Sequence, residues 1–401
     1  MTNLDGSTYD YVIVGGGVAA AAAVGGIREL DETGSVLVLG AEKDGPVYRP
    51  DLSKTLWLDK DSSLDKIQLL EGQQVELQTS SPVVAINPGG HTLQLQGGAT
   101  VTYGKLLLAT GSTPRTLDLP DSDKVIYYRT AADYRRLRDV AGSDVPVTTV
   151  GGGYIAAEIT SALTQNSVEV TMVLDMDHVQ QTIFPASIAE LVTKDFTDHG
   201  VRVLTDQTVT TGELADDRVA IQTKEGTRLE CGAVVVGIGV IPNVELAEAA
   251  GMTVDNGIVV DDHLRTSALD VYAAGDVANY PDALLGRRRV EHVDNAEAMG
   301  KKAGRNLAGA DEAYDYTPIF WSDIFDNGYE AVGDLDSRLD TVEEWNDDHT
   351  AAVVYYLKDD RVRGVLLWNV WDSSDKARDV IAQSKDGKLT REQLTGAIPV
   401  G

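Results

Sequence analysis

The sequence predicts an α/β protein in which one strand–turn–helix unit is used twice, followed by a C-terminal α+β domain built on an antiparallel sheet. Three observations carry this. A strand-like run at residues 9–14 leads into Gly15-Gly16-Gly17 and an Ala-rich helical stretch reaching Leu30. The same order returns at residues 147–150, Gly151-Gly152-Gly153 and a helical stretch to about Gln165, and self-similarity at so long a spacing marks two copies of one domain. From about Tyr314 the texture changes, with Phe320, Trp321, Trp345, Trp368 and Trp371 set among alternating segments such as residues 351–356.

Each element follows in order. After the first helix comes a strand at residues 36–39. Residues 82–103 alternate apolar and polar around the turn Asn87-Pro88-Gly89-Gly90, the pattern of a β-meander, and residues 106–111 read as a buried strand ending on glycine. The second copy repeats the plan: a strand at 168–174, strands around 201–206 and 219–223, and the buried run 233–239. A helix near 374–384 closes the C-terminal sheet. The expected domains are 1–116 with 241–313, 117–240, and 314–401.

Composition narrows the function. The chain of 401 residues exceeds the roughly 250–300 at which a single core stops growing. With 63 acidic and 34 basic residues its formal charge is −29, spread along the sequence, which argues against nucleic acid because phosphates demand a basic face. An apolar content of 43% argues against disorder, so the acidity reads as a surface adapted to high salt, as in a halophile. No apolar run approaches the roughly 18 residues of a membrane span and no secretory leader is read at the start, so a cytoplasmic location is expected. A single cysteine, Cys231, excludes an intramolecular disulfide, and no metal cluster is read.

The glycine motifs carry the first chemistry. In Gly15-x-Gly17-x-x-Ala20 the glycines allow a tight turn and close approach to a pyrophosphate at the positive end of a helix, and Glu42, just past the second strand, can accept from ribose hydroxyls. In Gly151-x-Gly153-x-x-Ala156 the corresponding acid is Asp175, which suits a free 2′-hydroxyl and repels a 2′-phosphate, favouring NADH over NADPH. Both copies therefore read as Rossmann-like dinucleotide-binding domains. The bland readings are a structural turn for the glycines and a solvated loop acid for Asp175. A third signature, Val271-Tyr272-Ala273-Ala274-Gly275-Asp276, is a short strand ending in a turn that admits a cofactor hydroxyl, although Gly-Asp also ends ordinary strands.

These motifs, with Arg49-Pro50-x-Leu52-Ser53-Lys54, Ala109-Thr110-Gly111, Arg287-Arg288-Arg289-Val290-Glu291-His292, Phe320-Trp321-Ser322-Asp323, Gly328-Tyr329-Glu330 and Leu367-Trp368-Asn369, resemble the FAD-dependent, NADH-linked reductases of the ferredoxin reductase type, in the pyridine nucleotide-disulfide oxidoreductase superfamily, and within them the apoptosis-inducing-factor branch. The resemblance spans nearly the whole chain. It implies a discontinuous FAD domain, an inserted NADH domain and a C-terminal domain that contributes to the flavin site. By that likeness FAD is contacted by Gly15, Gly16, Gly17, Val18, Ala19, Glu42, Arg49, Lys54, Val84, Arg129, Asp276, His292 and Trp321. NADH is contacted by Gly153, Tyr154, Ile155, Asp175, Gly239, Glu291 and Glu330, with Tyr154 covering the flavin until nicotinamide displaces it. Lys54 and Glu158 would form the ion pair beside the flavin. Two departures stand out: Asp51 replaces a frequent proline, and Ala41 replaces a frequent acid, leaving the ribose contact to Glu42.

Several of these residues have plain structural readings: a loop lysine for Lys54, a polar helix face for Glu158, a capping or packed residue for His292, core aromatics for Tyr154 and Trp321, and a solvated turn for Arg287, Arg288 and Arg289 in place of a docking patch. The resemblance implies hydride transfer from NADH to FAD and single-electron delivery to a ferredoxin or rubredoxin. An NADH oxidase and an NADH-responsive redox switch, with a homodimer among its states, stay open. Disulfide reduction does not, because the sole cysteine lies far from the first helix.

Overall fold

The computed structural model describes residues 4–143 and 145–400, and Met1, Thr2, Asn3, Asp144 and Gly401, the terminal residues of the expected domain limits among them, lie outside that description. The chain forms two compact units: Met1–Arg49 with Ser63–Thr113 and Ile241–Pro318, and Pro50–Ser62 with Pro114–Val240 and Ile319–Gly401. The segment Pro50–Ser62, which carries Lys54, belongs to the second unit, together with the second nucleotide fold and the C-terminal sheet.

The first unit is organised by a parallel sheet in the order Glu76–Gln78, Val36–Leu39, Ser7–Val14, Thr100–Leu108, with Val271–Ala273 also pairing to Thr100–Leu108. Continuous Val, Ile and Leu runs suit such strands because helices cover both faces. The strands Val83–Asn87 and Thr92–Leu95 extend the same sheet antiparallel, so the expected meander is present. Its last strand is continuous with the buried strand: Thr100, Val101 and Thr102 pair antiparallel, whereas Leu106, Leu107 and Leu108 pair parallel with Val271–Ala273.

The first helix, Val18–Arg28, is short of bulk for a reason. It packs against Val293–Leu307 so closely that a Cβ built on Gly300 would lie 2.3 Å from Ala19 O, one on Gly304 2.1 Å from Ala23 O, and one on Gly26 2.1 Å from Lys301 O. Small residues on both faces thus fix the height at which the helix meets the glycine turn.

In the second unit the parallel order is Arg202–Leu204, Val170–Val173, Val147–Val150, Ala233–Val236, Val125–Tyr127. Here the meander, Val209–Ala215, Arg218–Thr223 and Arg228–Cys231, is a separate three-stranded sheet, interrupted at Gly232 before the buried strand begins. A Cβ on Gly232 would meet Val145 Cγ2 at 2.3 Å.

The C-terminal sheet is antiparallel, in the order Ile319–Ile324, Asn327–Gly333, Arg361–Trp368, Ala352–Lys358, Asp340–Trp345. The expected alternation at 351–356 is not borne out, since those six residues are all buried. Ala352, Val354, Tyr356, Leu366 and Trp368 pack into one core with Ala156, Met172, Phe184 and Phe196 of the nucleotide fold. The helix Ser374–Lys385 packs on the strands Arg361–Trp368 and Asn327–Gly333 of the same sheet and buries Ala377, Val380 and Ile381. A sheet covered on both faces has no polar side to show.

Candidate active site

The first glycine turn is locked by contacts that admit no side chain. Gly15 has φ +128, its amide donates to Leu39 O at 2.9 Å, and a Cβ there would lie 2.0 Å from Ala109 O. Gly16 passes Gly40, with a built Cβ 3.3 Å from its Cα. Gly17 is the N-cap of Val18–Arg28 and supplies no side-chain cap, so the first-turn amides that Val18 and Ala19 open have no side-chain acceptor from the cap. Such a turn offers N–H groups and the positive end of a helix to an anion.

Of the other first-unit candidates, Arg49 comes near this turn, its Nε 4.0 Å from a Cβ built on Gly17. Gly275, φ +77, would bring a Cβ within 2.9 Å of Ala19 Cβ, so the Gly275-Asp276 turn lies against the first helix, and Ser112 Oγ donates to Asp276 at 3.1 Å. Glu42 and Arg49 form an ion pair at 2.6 Å. Val84 is exposed on Val83–Asn87. His292 is the N-cap of Val293–Leu307, its Nδ1 accepting from Asp294 N at 3.3 Å, so the capping role is a fact of the fold.

Two residues of the basic run bind backbone carbonyls. Arg287 donates to Asn279 O at 2.7 Å and to Val260 O at 3.1 Å. Arg289 donates to Asp276 O at 3.0 Å and pairs with Glu291. Two of the three guanidinium groups therefore hold backbone carbonyls, that of Arg289 at the Gly-Asp turn, which weakens the reading of this run as a docking patch.

The second glycine turn repeats the geometry of the first. Gly151 has φ +113, its amide donates to Val173 O at 2.8 Å, and a Cβ would lie 2.3 Å from Gly237 O. Gly153 caps Tyr154–Gln165 without a side-chain bond. Tyr154 and Ile155 open that helix and are 38% and 37% exposed, large apolar groups left uncovered at the turn. Asp175 is exposed just beyond Val170–Val173. Gly239, φ +92, accepts from Arg115 N at 2.9 Å, and Arg129 N donates to Asp133 at 3.1 Å.

One turn and more into the same helix lies the most heavily bonded carboxylate of this unit's candidates. Lys54 Nζ is 3.1 Å from Glu158 Oε1, with side-chain exposures of 19% and 10%. Ser322 Oγ donates to Oε1 and Ser53 Oγ to Oε2, each at 2.6 Å. The ion pair expected from sequence is formed. Along the antiparallel pair Ile319–Ile324 and Asn327–Gly333, Trp321 stands opposite Glu330 and Ser322 opposite Tyr329.

Burial and neighbours perturb the groups around this helix. Burial pushes the Tyr154 phenol up to about 12, the Tyr329 hydroxyl opposing the rise and the Glu158 carboxylate adding to it; its ring surface is nevertheless partly open. Burial raises Tyr329 well above the ordinary phenol value, with Tyr154 and Glu158 adding to the rise. Burial also raises Glu330, against the lowering effect of the Ser373 and Asp372 amides.

A family model described as pyridine nucleotide-disulphide oxidoreductase matches residues 9–300. The chain belongs to this family. A second model, for the C-terminal part of the mitochondrion-associated apoptosis-inducing factor, matches residues 303–350 and 343–383. The mitochondrial apoptosis-inducing factor 1 of Dictyostelium discoideum is 32% identical over 94% of this chain and 79% of its own length. The ferredoxin–NAD(+) reductase component of the anthranilate 1,2-dioxygenase system of Burkholderia cepacia is 33% identical over 93% and 94%. A solved ferredoxin reductase from Rhodopseudomonas palustris superposes with a TM-score of 0.86 at 29% identity, covering 96% of each chain.

This member of the pyridine nucleotide-disulphide oxidoreductases is an FAD-dependent oxidoreductase that uses NADH. Its two glycine turns fit two dinucleotides, since each leaves a capless helix start where a Cβ would collide with backbone. Cys231 is the one cysteine in the sequence; it is buried, and burial raises its thiol. Among the described residues no helix is long and apolar enough to cross a membrane.

Four polar residues around these candidates, Ser53, Ser322, Ser112 and Arg289, were not assigned to the site from sequence, Arg289 having been read only as part of a basic run. Three sit beside a residue that was or in its motif, Ser53 before Lys54, Ser322 after Trp321, and Arg289 two before Glu291. Adjacency within those motifs was the signal available.

Proposed function

We propose that the protein takes electrons in pairs from NADH and delivers them singly to a small iron–sulfur carrier of the ferredoxin or rubredoxin type. One observation carries this reading: the likeness to the Burkholderia cepacia ferredoxin–NAD(+) reductase component extends over 93% of this chain and 94% of that one, in a chain whose lone buried cysteine leaves no dithiol route for the electrons.

When bound, FAD supplies the conversion between paired and single electrons, which no side chain can perform. The residues supply position and charge. Gly15, Gly16 and Gly17 with Val18 and Ala19 would hold the FAD pyrophosphate on the first helix, and Glu42, Arg49, Arg129 and Asp276 its polar groups. Gly153, Tyr154 and Ile155 would hold NADH, with Asp175 accepting from the adenosine ribose and disfavouring a 2′-phosphate. By the family likeness Gly239, Glu291 and Glu330 would also contact NADH, and Val84, His292 and Trp321 would contact FAD.

Lys54 is the proposed catalytic cation. A fixed ammonium of low exposure stabilises negative charge that develops on electron uptake, because it needs no reorganisation at the moment of transfer. Glu158 holds that ammonium 3.1 Å away. The indole of Trp321 would exclude water, and Tyr154, with its ring partly open at the turn, would cover the flavin until nicotinamide arrives.

Stoichiometry tests the proposal. An anaerobic titration with a purified ferredoxin should reduce two one-electron carriers for each NADH consumed; consumption of NADH without carrier reduction would reject it. A second reading, an NADH-responsive redox switch, is favoured by the match of residues 303–350 and 343–383 to the apoptosis-inducing-factor C-terminal model. Sedimentation with and without NADH separates the two, since a switch requires an NADH-dependent change of state, such as dimerisation, together with slow turnover.

A further inference from the structure

Glu158 is a buried carboxylate served by three donors, only one of them a cation. Oε1 accepts from Ser322 Oγ at 2.6 Å and faces Lys54 Nζ at 3.1 Å, while Oε2 accepts from Ser53 Oγ at 2.6 Å. Ser53 and Ser322 are 4% and 1% exposed. Ser53 has one proton and two acceptors in reach, Pro50 O at 3.3 Å and Glu158 at 2.6 Å; the shorter, charge-assisted bond is the stronger.

The two hydroxyls reach the carboxylate from segments far apart in sequence. Ser53 follows a loop whose Leu52 carbonyl accepts from Trp57 Nε1 at 2.8 Å and from the Tyr128 hydroxyl, so the residue before Ser53 is anchored by two donors from buried side chains. Ser322 stands on Ile319–Ile324 of the C-terminal sheet. A lysine has a long flexible stem, and a carboxylate free to rotate would let its ammonium wander. A carboxylate gripped at both oxygens offers that ammonium one place.

We propose that Ser53 and Ser322 are positioning residues: they fix the Glu158 carboxylate and through it aim the Lys54 ammonium, so that the C-terminal sheet contributes to electron uptake by way of Ser322. The proposal rests on the reading of Lys54 as the cation that serves the flavin. Among the described residues, Tyr154 and Tyr329 also interact electrostatically with Glu158, and neither brings a positive charge.

The test compares Ser53→Ala, Ser322→Ala, the double alanine variant, Ser53→Thr, Ser322→Thr and Lys54→Met in the FAD-loaded protein. Three quantities are read: the midpoint potential of the bound flavin, the rate of flavin reduction at saturating NADH, and the NADH concentration for half-saturation. Each alanine variant is expected to lose about tenfold in the saturating rate with half-saturation unchanged, and to move the potential about 30 mV more negative, the equivalent of tenfold for a two-electron couple. A threonine at one or both positions restores both values. The double alanine variant is no slower than Lys54→Met, because all three residues act through one ammonium.

Wild-type potential and rate in both alanine variants, beside a slowed Lys54→Met, would overturn the serine proposal and leave the lysine reading standing. An unchanged Lys54→Met would overturn both. If both alanine variants lose FAD or fail to fold while the threonine variants equal wild type, the serines serve stability alone and the proposal falls.

Discussion

Replacing one glycine at a time separates the two nucleotide turns. In Gly15→Ala the new Cβ would sit 2.0 Å from Ala109 O, where real Cβ atoms essentially never come within 3.0 Å. The turn must therefore open by about 1 Å, and the residue must also hold φ near +128, which costs an L-residue roughly 1–3 kcal/mol. Relief cannot come from a side chain, since the obstacle is the carbonyl of the residue after Thr100–Leu108, whose amide donates to Val14 O at 2.8 Å. With the overlap added, a loss of about 3 kcal/mol is expected, close to 150-fold in FAD affinity. The assay is the flavin-to-protein ratio after gel filtration at micromolar protein, with thermal unfolding as a control. Gly151→Ala, facing Gly237 O at 2.3 Å, should instead keep FAD and raise the NADH needed for half-maximal flavin reduction by a comparable factor. Full FAD retention by Gly15→Ala, or loss of FAD with unchanged NADH response in Gly151→Ala, would refute the assignment of the two turns.

Three further outcomes follow from named contacts. Lys54→Ala removes the partner of a carboxylate of 10% side-chain exposure, and since breaking a buried pair costs about 3–5 kcal/mol while two serine bonds survive, a stability loss of roughly 2–3 kcal/mol should accompany a slower single-turnover reduction at fixed NADH; stopped-flow absorbance and urea unfolding read the two effects. Asp175→Asn should raise the NADPH specificity at least several-fold by removing a like charge from the 2′-phosphate, read as kcat/KM for each nucleotide. Arg305 at 2.7 Å and, after it, Lys302 at 2.9 Å lower Glu312 from an ordinary 4.5 to about 2. A depressed carboxyl stabilises the fold above its unfolded value and loses that contribution as pH falls, so stability should drop between pH 4.5 and about 2, with Glu312→Gln flattening that limb in acid unfolding followed by circular dichroism.

The nucleotide folds were legible because their signals are local. Glycines, a following Ala-rich helix and unbroken Val and Leu strands fix a turn within a few residues, and the same pattern occurs at both positions. The Gly-Asp turn at Gly275 and Asp276 was legible for the same reason. What stayed hidden depends on which surfaces meet. Residues 351–356 looked two-faced because tyrosine and alanine can serve either face, and only the packing of the nucleotide fold and a helix on the sheet buries them all. Unlike the continuous strand Thr100–Leu108, the second meander breaks at Gly232, where Val145, a neighbour distant in sequence, leaves no room for a Cβ. Ser53 and Ser322 carry no signal as serines, since their meaning lies in a carboxylate more than 100 positions away from each. Arg287 and Arg289 looked like surface charge because composition cannot tell a solvated guanidinium from one bound to carbonyls.

The most direct test is anaerobic stopped-flow of the FAD-loaded protein, first mixed with NADH and then with oxidised ferredoxin. Rapid bleaching of the flavin is expected, followed by rapid return of its absorbance as the carrier is reduced. Slow bleaching to a persistent long-wavelength band, with little return on addition of the carrier, would contradict the proposed function and leave the redox switch in its place.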